Sequence, residues 1–221
     1  MHVLTLEEAR SFYNKFGAKQ DSQSFYEAPA LQSLIANSQL GQASSIFEFG
    51  CGTGRFAFEL LSEHLPSKAQ YRGVDISTTM IQLATTRLAP FASRANVTLA
   101  TDNVAIQVDE NSIDRFVSTY VLDLLPDEKV KQVVQEAHHK LKADGLICLA
   151  GVTEGTTPLS RIVMNSWQWL FSRKPSLLGG CRPTQLLEHL PSADWRVQYH
   201  NTVVAWGVAS EVLIASPIKD K

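Results

Sequence analysis

The sequence predicts an α/β fold: a doubly wound, mostly parallel sheet with a helical arm before it and an antiparallel hairpin after it. Three observations carry this expectation. Between residues 45 and 152 short apolar runs alternate with helix-period segments, the pattern of βαβ units. The runs are nearly continuous in apolar character, as in strands covered on both faces. After Val152 the alternation stops. Trp195–Ala205 and Ala209–Ser216 then read as two strands joined at Gly207, too close for a crossover helix, so they should pair antiparallel.

The elements follow in order. Thr5-Leu6-Glu7-Glu8 fits a capping box and opens a short helix to about Asn14. Lys15 to Ala28 reads as an irregular arm, and Pro29 as the start of a second helix to about Ser38. Ser45–Phe49 is a buried strand ending in glycines. Arg55–Leu65 is helical, stopped by Pro66. Tyr71–Asp75 is the second strand, and Ser77 caps a helix to about Leu88. Val97–Ala100 and Asp114–Ser118 are the third and fourth strands. Asp127 is expected to cap a helix through Leu141 that closes near Gly145, and Leu146–Val152 is the fifth strand. Pro158–Ser172 is a helix, with a tight turn at residues 179–183 leading into another. The expected organisation is a single domain: an arm (1–44), a core (45–152), a lid or substrate segment (153–194) and the hairpin (195–216).

A chain of 221 residues with 44% hydrophobic and 19% charged residues can bury a core without disulfides. A net charge of -2 and the lack of a basic stripe argue against a nucleic-acid partner. Cys51, Cys148 and Cys181 form no Cys-x-x-Cys pair, so a reduced, cytoplasmic protein is expected. Neither a secretory leader nor a run long enough to span a bilayer is evident. No His/Cys/Asp cluster has metal-ligand spacing, and no metal is expected.

The chemistry is concentrated in Glu48-Phe49-Gly50-Cys51-Gly52-Thr53-Gly54. This loop sits between a strand and a helix, at the carboxyl edge where doubly wound sheets bind ligands. A dinucleotide loop would read G-x-G-x-x-G. Here the spacing is G-x-G-x-G, Arg55 follows, and Glu48 sets a carboxylate that would repel a pyrophosphate. The same carboxylate suits a ligand with an ammonium group. Asp75, ending the second strand, can accept both hydroxyls of a ribose, or simply cap the following turn. Asp102-Asn103 can accept from an exocyclic amine, or form an Asx turn.

Together these residues resemble the class I S-adenosylmethionine-dependent methyltransferases over about Ser45 to Val152. The glycine loop resembles the family's first motif and Val74-Asp75-Ile76-Ser77 its ribose-binding segment. Asp102-Asn103 stands at its adenine contact, although Asn103-Val104 departs from the usual acidic pair. Residues 114–122 resemble the fourth-strand motif, and Leu141-Lys142-Ala143-Asp144-Gly145 the lead-in to strand five. The style is that of the quinone-biosynthesis branch, except that Asp123 stands where that branch often has His.

The resemblance implies a seven-stranded Rossmann-like sheet with a reversed last strand, S-adenosyl-L-methionine as cofactor and a small-molecule acceptor; the apolar lid segment, not the resemblance, points to an acceptor that is hydrophobic or lipid-like. It implies cofactor contacts at Glu48, Gly50, Cys51, Gly52, Thr53, Gly54, Asp75, Ile76, Met80, Asp102, Asn103, Thr119 and Tyr120. The cofactor carries the reactivity, so no fixed catalyst is required. Tyr120, Asp123 and His200 are the candidates for a proton acceptor. Tyr13, Gln20 and Tyr26 in the arm and Arg182 beyond the lid are candidate substrate contacts.

Acceptors of other kinds are disfavoured. The Asp/Asn-Pro-Pro-aromatic motif of amino-methylating nucleic-acid enzymes is replaced by Ser118-Thr119-Tyr120-Val121, and no Pro-Cys pair exists. In the lid, Leu159, Ile162, Val163, Trp167 and Leu170 share a helical face, which either packs on the domain or meets a hydrophobic acceptor or a membrane surface. The competing functions are a nicotinamide-dependent oxidoreductase and a non-catalytic cofactor-binding module.

Overall fold

The computed structural model describes residues 4–100, 106–174 and 178–219. Seven strands lie in one sheet: β1 (Ser45–Phe49), β2 (Gln70–Asp75), β3 (Ala95–Leu99), β4 (Ile113–Thr119), β5 (Leu141–Val152), β6 (Trp195–Ala205) and β7 (Val208–Pro217). Their order is β3-β2-β1-β4-β5-β7-β6. The first five are parallel, and β7 runs antiparallel to both β5 and β6. The Trp206-Gly207 turn explains the reversal. Both residues have positive φ, 54° and 82°, as a two-residue hairpin connection requires.

Among the described residues six α-helices accompany the sheet: α1 (Leu6–Phe16), α2 (Ser24–Asn37), α3 (Arg55–Glu59), α4 (Thr78–Arg87), α5 (Asp127–Lys140) and α6 (Pro158–Arg173). Strand residues alternate between two cores. Ile46, Tyr71, Val117, Cys148 and Ile214 pack with α2 and α3, whereas Phe47, Phe116, Ile147 and Leu213 pack with α5. This period of two within apolar runs is what burial on both faces demands.

The structure departs from the sequence reading at several places. Residues 15–28 are not irregular: one short helical stretch covers Gly17–Gln23, and α2 begins at Ser24, so Pro29 lies inside it. Tyr26, Ala30, Leu31 and Leu34 are all buried by that helix, and their packing outweighs the one hydrogen bond Pro29 cannot donate. The helix after the glycine loop widens at Leu60, where Leu65 N donates to Leu60 O at 2.8 Å. Asp127 does not cap α5. Pro126 occupies the cap, and Asp127 turns instead to Arg182 at 2.7 Å. That helix ends at Lys140, and β5 starts at once with Leu141 paired to Ile113, through a register shift near Arg115. The segment after Pro183 forms one short turn, Leu186–His189, rather than a full helix.

Candidate functional site

The parallel order reverses at β1, which has β2 on one side and β4 on the other. A crevice opens there at the carboxyl ends of the strands, and the chain from Gly50 to Gly54 crosses it. Gly50 and Cys51 both donate from their backbone N–H to Val74 O, at 2.8 and 2.9 Å. A Cβ at Gly50 would lie 2.3 Å from Val121 Cγ2, so only glycine lets the loop pass beneath the β4 turn. At Gly52 φ is +51°, yet a Cβ would meet nothing within 4 Å. Open space borders the loop at that residue.

Two carboxylates flank it. Glu48 is fully buried, and its partner is the Tyr71 hydroxyl, which donates to Oε2. Burial, only partly offset by that hydrogen bond and reinforced by the nearby Asp75, raises Glu48 to about 7. Asp75 accepts from Gly52 N and Ser77 N, both at 2.9 Å, one on each oxygen. Burial outweighs these bonds and lifts it to about 6. Ile76 N adds a third hydrogen bond, so at least one lone pair of the carboxylate remains.

The N-terminal arm closes over the loop through ionic contacts. Thr53 Oγ1 donates to Asp21 at 2.6 Å, and Arg87 binds Asp21 at 2.7 Å and Thr53 Oγ1 at 2.7 Å. Arg55 holds Glu27 at 3.0 Å. Burial opposes ionisation of Asp21, but the hydrogen bonds from Arg87 and Thr53 prevail and lower it. Glu27 goes the other way: burial outweighs Arg55 and lifts it to about 7. Beneath this latch lies a cavity of about 60 Å³, lined by Glu48, the loop, Thr119 and Tyr120 from β4, and Gln20, Asp21 and Glu27 from the arm.

Beyond β4 the chain is strained. Tyr120 has φ +56°, the left-handed region that bulky residues avoid. Its hydroxyl is 2.9 Å from Ser210 Oγ, and its ring meets Tyr26 edge-on at 5.9 Å. Asp123 is fully buried; Oδ2 accepts from the Cys181 thiol at 2.7 Å, and Oδ1 has no partner among the described residues. Burial raises Asp123 to about 6, despite the hydrogen bonds from Cys181 and Val152 N.

The sequence candidates therefore divide. Glu48, Gly50, Cys51, Gly52, Thr53, Thr119, Tyr120 and Gln20 line one cavity, whereas Gly54 packs against Ala84 of α4. Asp75 ties to the loop through Gly52. Ile76 offers its carbonyl to Arg10 at 3.2 Å, while Met80 is buried in α4. Tyr26 reaches the site through Tyr120, and Tyr13 donates to Gly179 O at 3.4 Å. Asp102 and Asn103 lie outside the described residues.

Two candidates are not at the site. His200 lies on β6, four strands from β1, paired with Glu211 at 2.8 Å. Arg182 Nη2 donates to Leu125 O, just before α5, and to Asp127, its first residue. The residues the sequence reading missed are Asp21, Glu27, Tyr71, Arg87 and Cys181. Each acts through a partner distant in the chain, so no local spacing announces it.

A seven-stranded sheet with a reversed strand β7 and a glycine loop at its switch point defines the class I S-adenosylmethionine-dependent methyltransferase fold. Residues 46–145, somewhat under half of the chain, match the methyltransferase domain family. It is 29% identical over 126 residues to the tRNA N(3)-methylcytidine methyltransferase Mettl2 of Drosophila melanogaster, covering 56% of this chain and 39% of the relative. It is 27% identical over 127 residues to the demethylmenaquinone methyltransferase of Staphylococcus epidermidis, covering 57% of this chain and 50% of the relative. The chain thus spans half or less of the curated relatives it matches. In fold it is similar to the N-methyltransferase NodS of Bradyrhizobium japonicum in complex with S-adenosyl-L-homocysteine. That TM-score is 0.66 at 16% identity, covering 87% of this chain and 88% of the other.

Proposed function

We propose that this chain binds S-adenosyl-L-methionine in the β1 crevice and transfers its methyl group to a small, hydrophobic acceptor. Glu48 carries the reading. A buried carboxylate at about 7, whose partner is a neutral phenol, lacks the cation that would stabilise it. The ammonium of the cofactor's methionine end supplies one. Asp75 would accept from a ribose hydroxyl with its remaining lone pair, and the open side of Gly52 would admit the ligand beside the backbone. Those features fit the cofactor, and the structure of NodS with S-adenosyl-L-homocysteine supports the assignment. When bound, the cofactor supplies an electrophilic methyl on a sulfonium.

The protein's share is orientation and, for an acceptor that loses a proton, a base. Tyr120 is held in its strained backbone by its Tyr120 N to Ala150 O bond of 2.7 Å and its hydroxyl contact with Ser210. That geometry aims an aromatic wall at the site. Asp123 keeps one unpartnered oxygen and is raised to about 6, yet it is fully buried and does not line the cavity, so no residue is assigned as the base. The demethylmenaquinone relative favours a hydrophobic acceptor. The Drosophila relative favours a second reading, an RNA acceptor.

Calorimetry with S-adenosyl-L-methionine and with NADH tests the cofactor: tight binding of the first alone is expected, and binding of NADH alone overturns the reading. Release of S-adenosyl-L-homocysteine across a panel of phenols, quinols, amines and tRNA then identifies the acceptor. Turnover with tRNA alone would replace the small-molecule reading by the RNA one.

A further inference from the structure

Helix α6 has two unlike faces. Ser160, Met164 and Phe171 are buried, with Val163, Trp167 and Leu170 half-buried beside them. On the opposite side Leu159, Ile162 and Trp169 stand 64%, 66% and 60% exposed. The shared face expected from the sequence is therefore split, because the turn at Leu159 and Ile162 points away from the sheet. The hairpin tip joins this outer surface. A Cβ on Gly207 would lie 2.8 Å from Val163 Cγ2, so the tip rests against α6, and the neighbouring Trp206 is 80% exposed.

The charge on this face is one-sided. No Asp or Glu occurs from Gly155 to Leu187, nor from Trp195 to Ser210, although the chain as a whole carries -2. Arg161, Arg173 and Lys174 are exposed, and the Arg173 guanidinium lies 5.2 Å from the Trp169 ring centroid. Exposed Trp, Leu and Ile flanked by cations and free of acids match the chemistry of an anionic bilayer surface. There the apolar groups enter the headgroup boundary and the cations meet lipid phosphates. Nucleic acid would reward the cations but not the apolar stripe.

The inner side of the same helix walls the site. Trp167 Nε1 donates to Cys181 O at 3.0 Å, its ring lies 6.4 Å from Tyr26, and Tyr26 meets Tyr120. We infer that α6 and Trp206 seat on an anionic phospholipid surface, and that the methyl acceptor is a lipophilic molecule drawn from that bilayer past α6. The second half of this inference rests on the methyl-transfer reading; the first half does not.

The test is cosedimentation of the full chain at low salt with vesicles of phosphatidylcholine alone or mixed with phosphatidylglycerol, with tryptophan fluorescence read alongside. Expected are binding to the mixed vesicles with a blue shift and at least ~10-fold weaker binding to the neutral ones. Ile162→Ser with Trp169→Ser should weaken binding by a similar factor, as should Arg173→Glu with Lys174→Glu, while S-adenosyl-L-methionine affinity in solution stays unchanged. Failure to bind mixed vesicles overturns the inference. So does equal binding by the variants, a dimer by light scattering that Ile162→Ser with Trp169→Ser dissolves, or tRNA binding that Arg173→Glu abolishes while vesicles are ignored. Loss of cofactor binding by the parent chain would instead strike the methyl-transfer reading.

Discussion

At the scale of single residues, the site depends on groups held in states they would not choose alone. Glu48, raised to about 7, prefers its proton in the folded chain. An ammonium ligand prefers the carboxylate, so binding should expel a proton below neutrality. Affinity for S-adenosyl-L-methionine is expected to rise between pH ~6 and ~7.5 and then level. Calorimetry in buffers of different ionisation enthalpy reads the proton directly, and Glu48→Gln should weaken binding at least ~10-fold and flatten the pH profile. Tyr71, Asp75 and Cys51 surround the same carboxylate, so Tyr71→Phe is expected to raise Glu48 further and move the midpoint up. Gly50 gives a steric test. A methyl group there meets Val121 in a left-handed backbone, and Gly50→Ala should cost about 2 kcal/mol or more in thermal denaturation, with partial recovery in Val121→Ala.

At the scale of elements, the arm is the part whose removal tells most. Its hold on the loop consists of half-exposed ion pairs to Asp21 and a more buried one to Glu27. Deleting residues Met1 to Tyr26 should weaken cofactor affinity by calorimetry while leaving the sheet intact by circular dichroism. Unchanged affinity would show that the arm is only a cover. Elements differ in how legible they were. The strands from Ser45 and Trp195 were read with correct starts, because an apolar run bounded by glycine or a turn is a local signal. The arm was not, because α2 is fixed by what Tyr26, Leu31 and Leu34 pack against rather than by its own sequence, which Pro29 argues against. The glycine loop and Asp75 were legible for the reason the strands were: their spacing is local. The Asp21–Arg87 and Asp123–Cys181 pairs span 66 and 58 residues and appear only once the chain is folded.

At the scale of the whole molecule, four carboxylates raised by burial share one sign. Glu27 and Glu48 rise to about 7, and Asp75 and Asp123 to about 6. A raised carboxyl stabilises the fold below its unfolded value and loses that contribution as pH climbs through the folded one. Asp21, Asp114 and Asp127 are lowered, so their stabilisation is complete above the usual carboxylate range and is lost only in acid; His189, lowered by burial, opposes the trend within the window but is one group against four. The melting temperature without cofactor should therefore fall from pH ~5 to ~8, and the increment from added S-adenosyl-L-methionine should grow across the same range. Differential scanning fluorimetry at fixed ionic strength reads both; a melting temperature that climbs with pH would contradict the shared sign.

The 60 Å³ cavity beneath the Asp21 latch has a kinetic consequence. A nucleoside joined to an amino acid needs roughly 300 Å³ or more, so full seating of the ligand is expected to part Asp21 from Arg87 and Thr53 even though the loop is open at Gly52. Ligand traffic in both directions then waits on one internal event whose frequency belongs to the protein. In stopped-flow mixing, the observed rate should stop growing at high ligand concentration, and salt should raise that ceiling by loosening the ion pairs. A spent cofactor would leave no faster than the same ceiling, so turnover would be timed by a carboxylate some thirty residues upstream of the loop it guards.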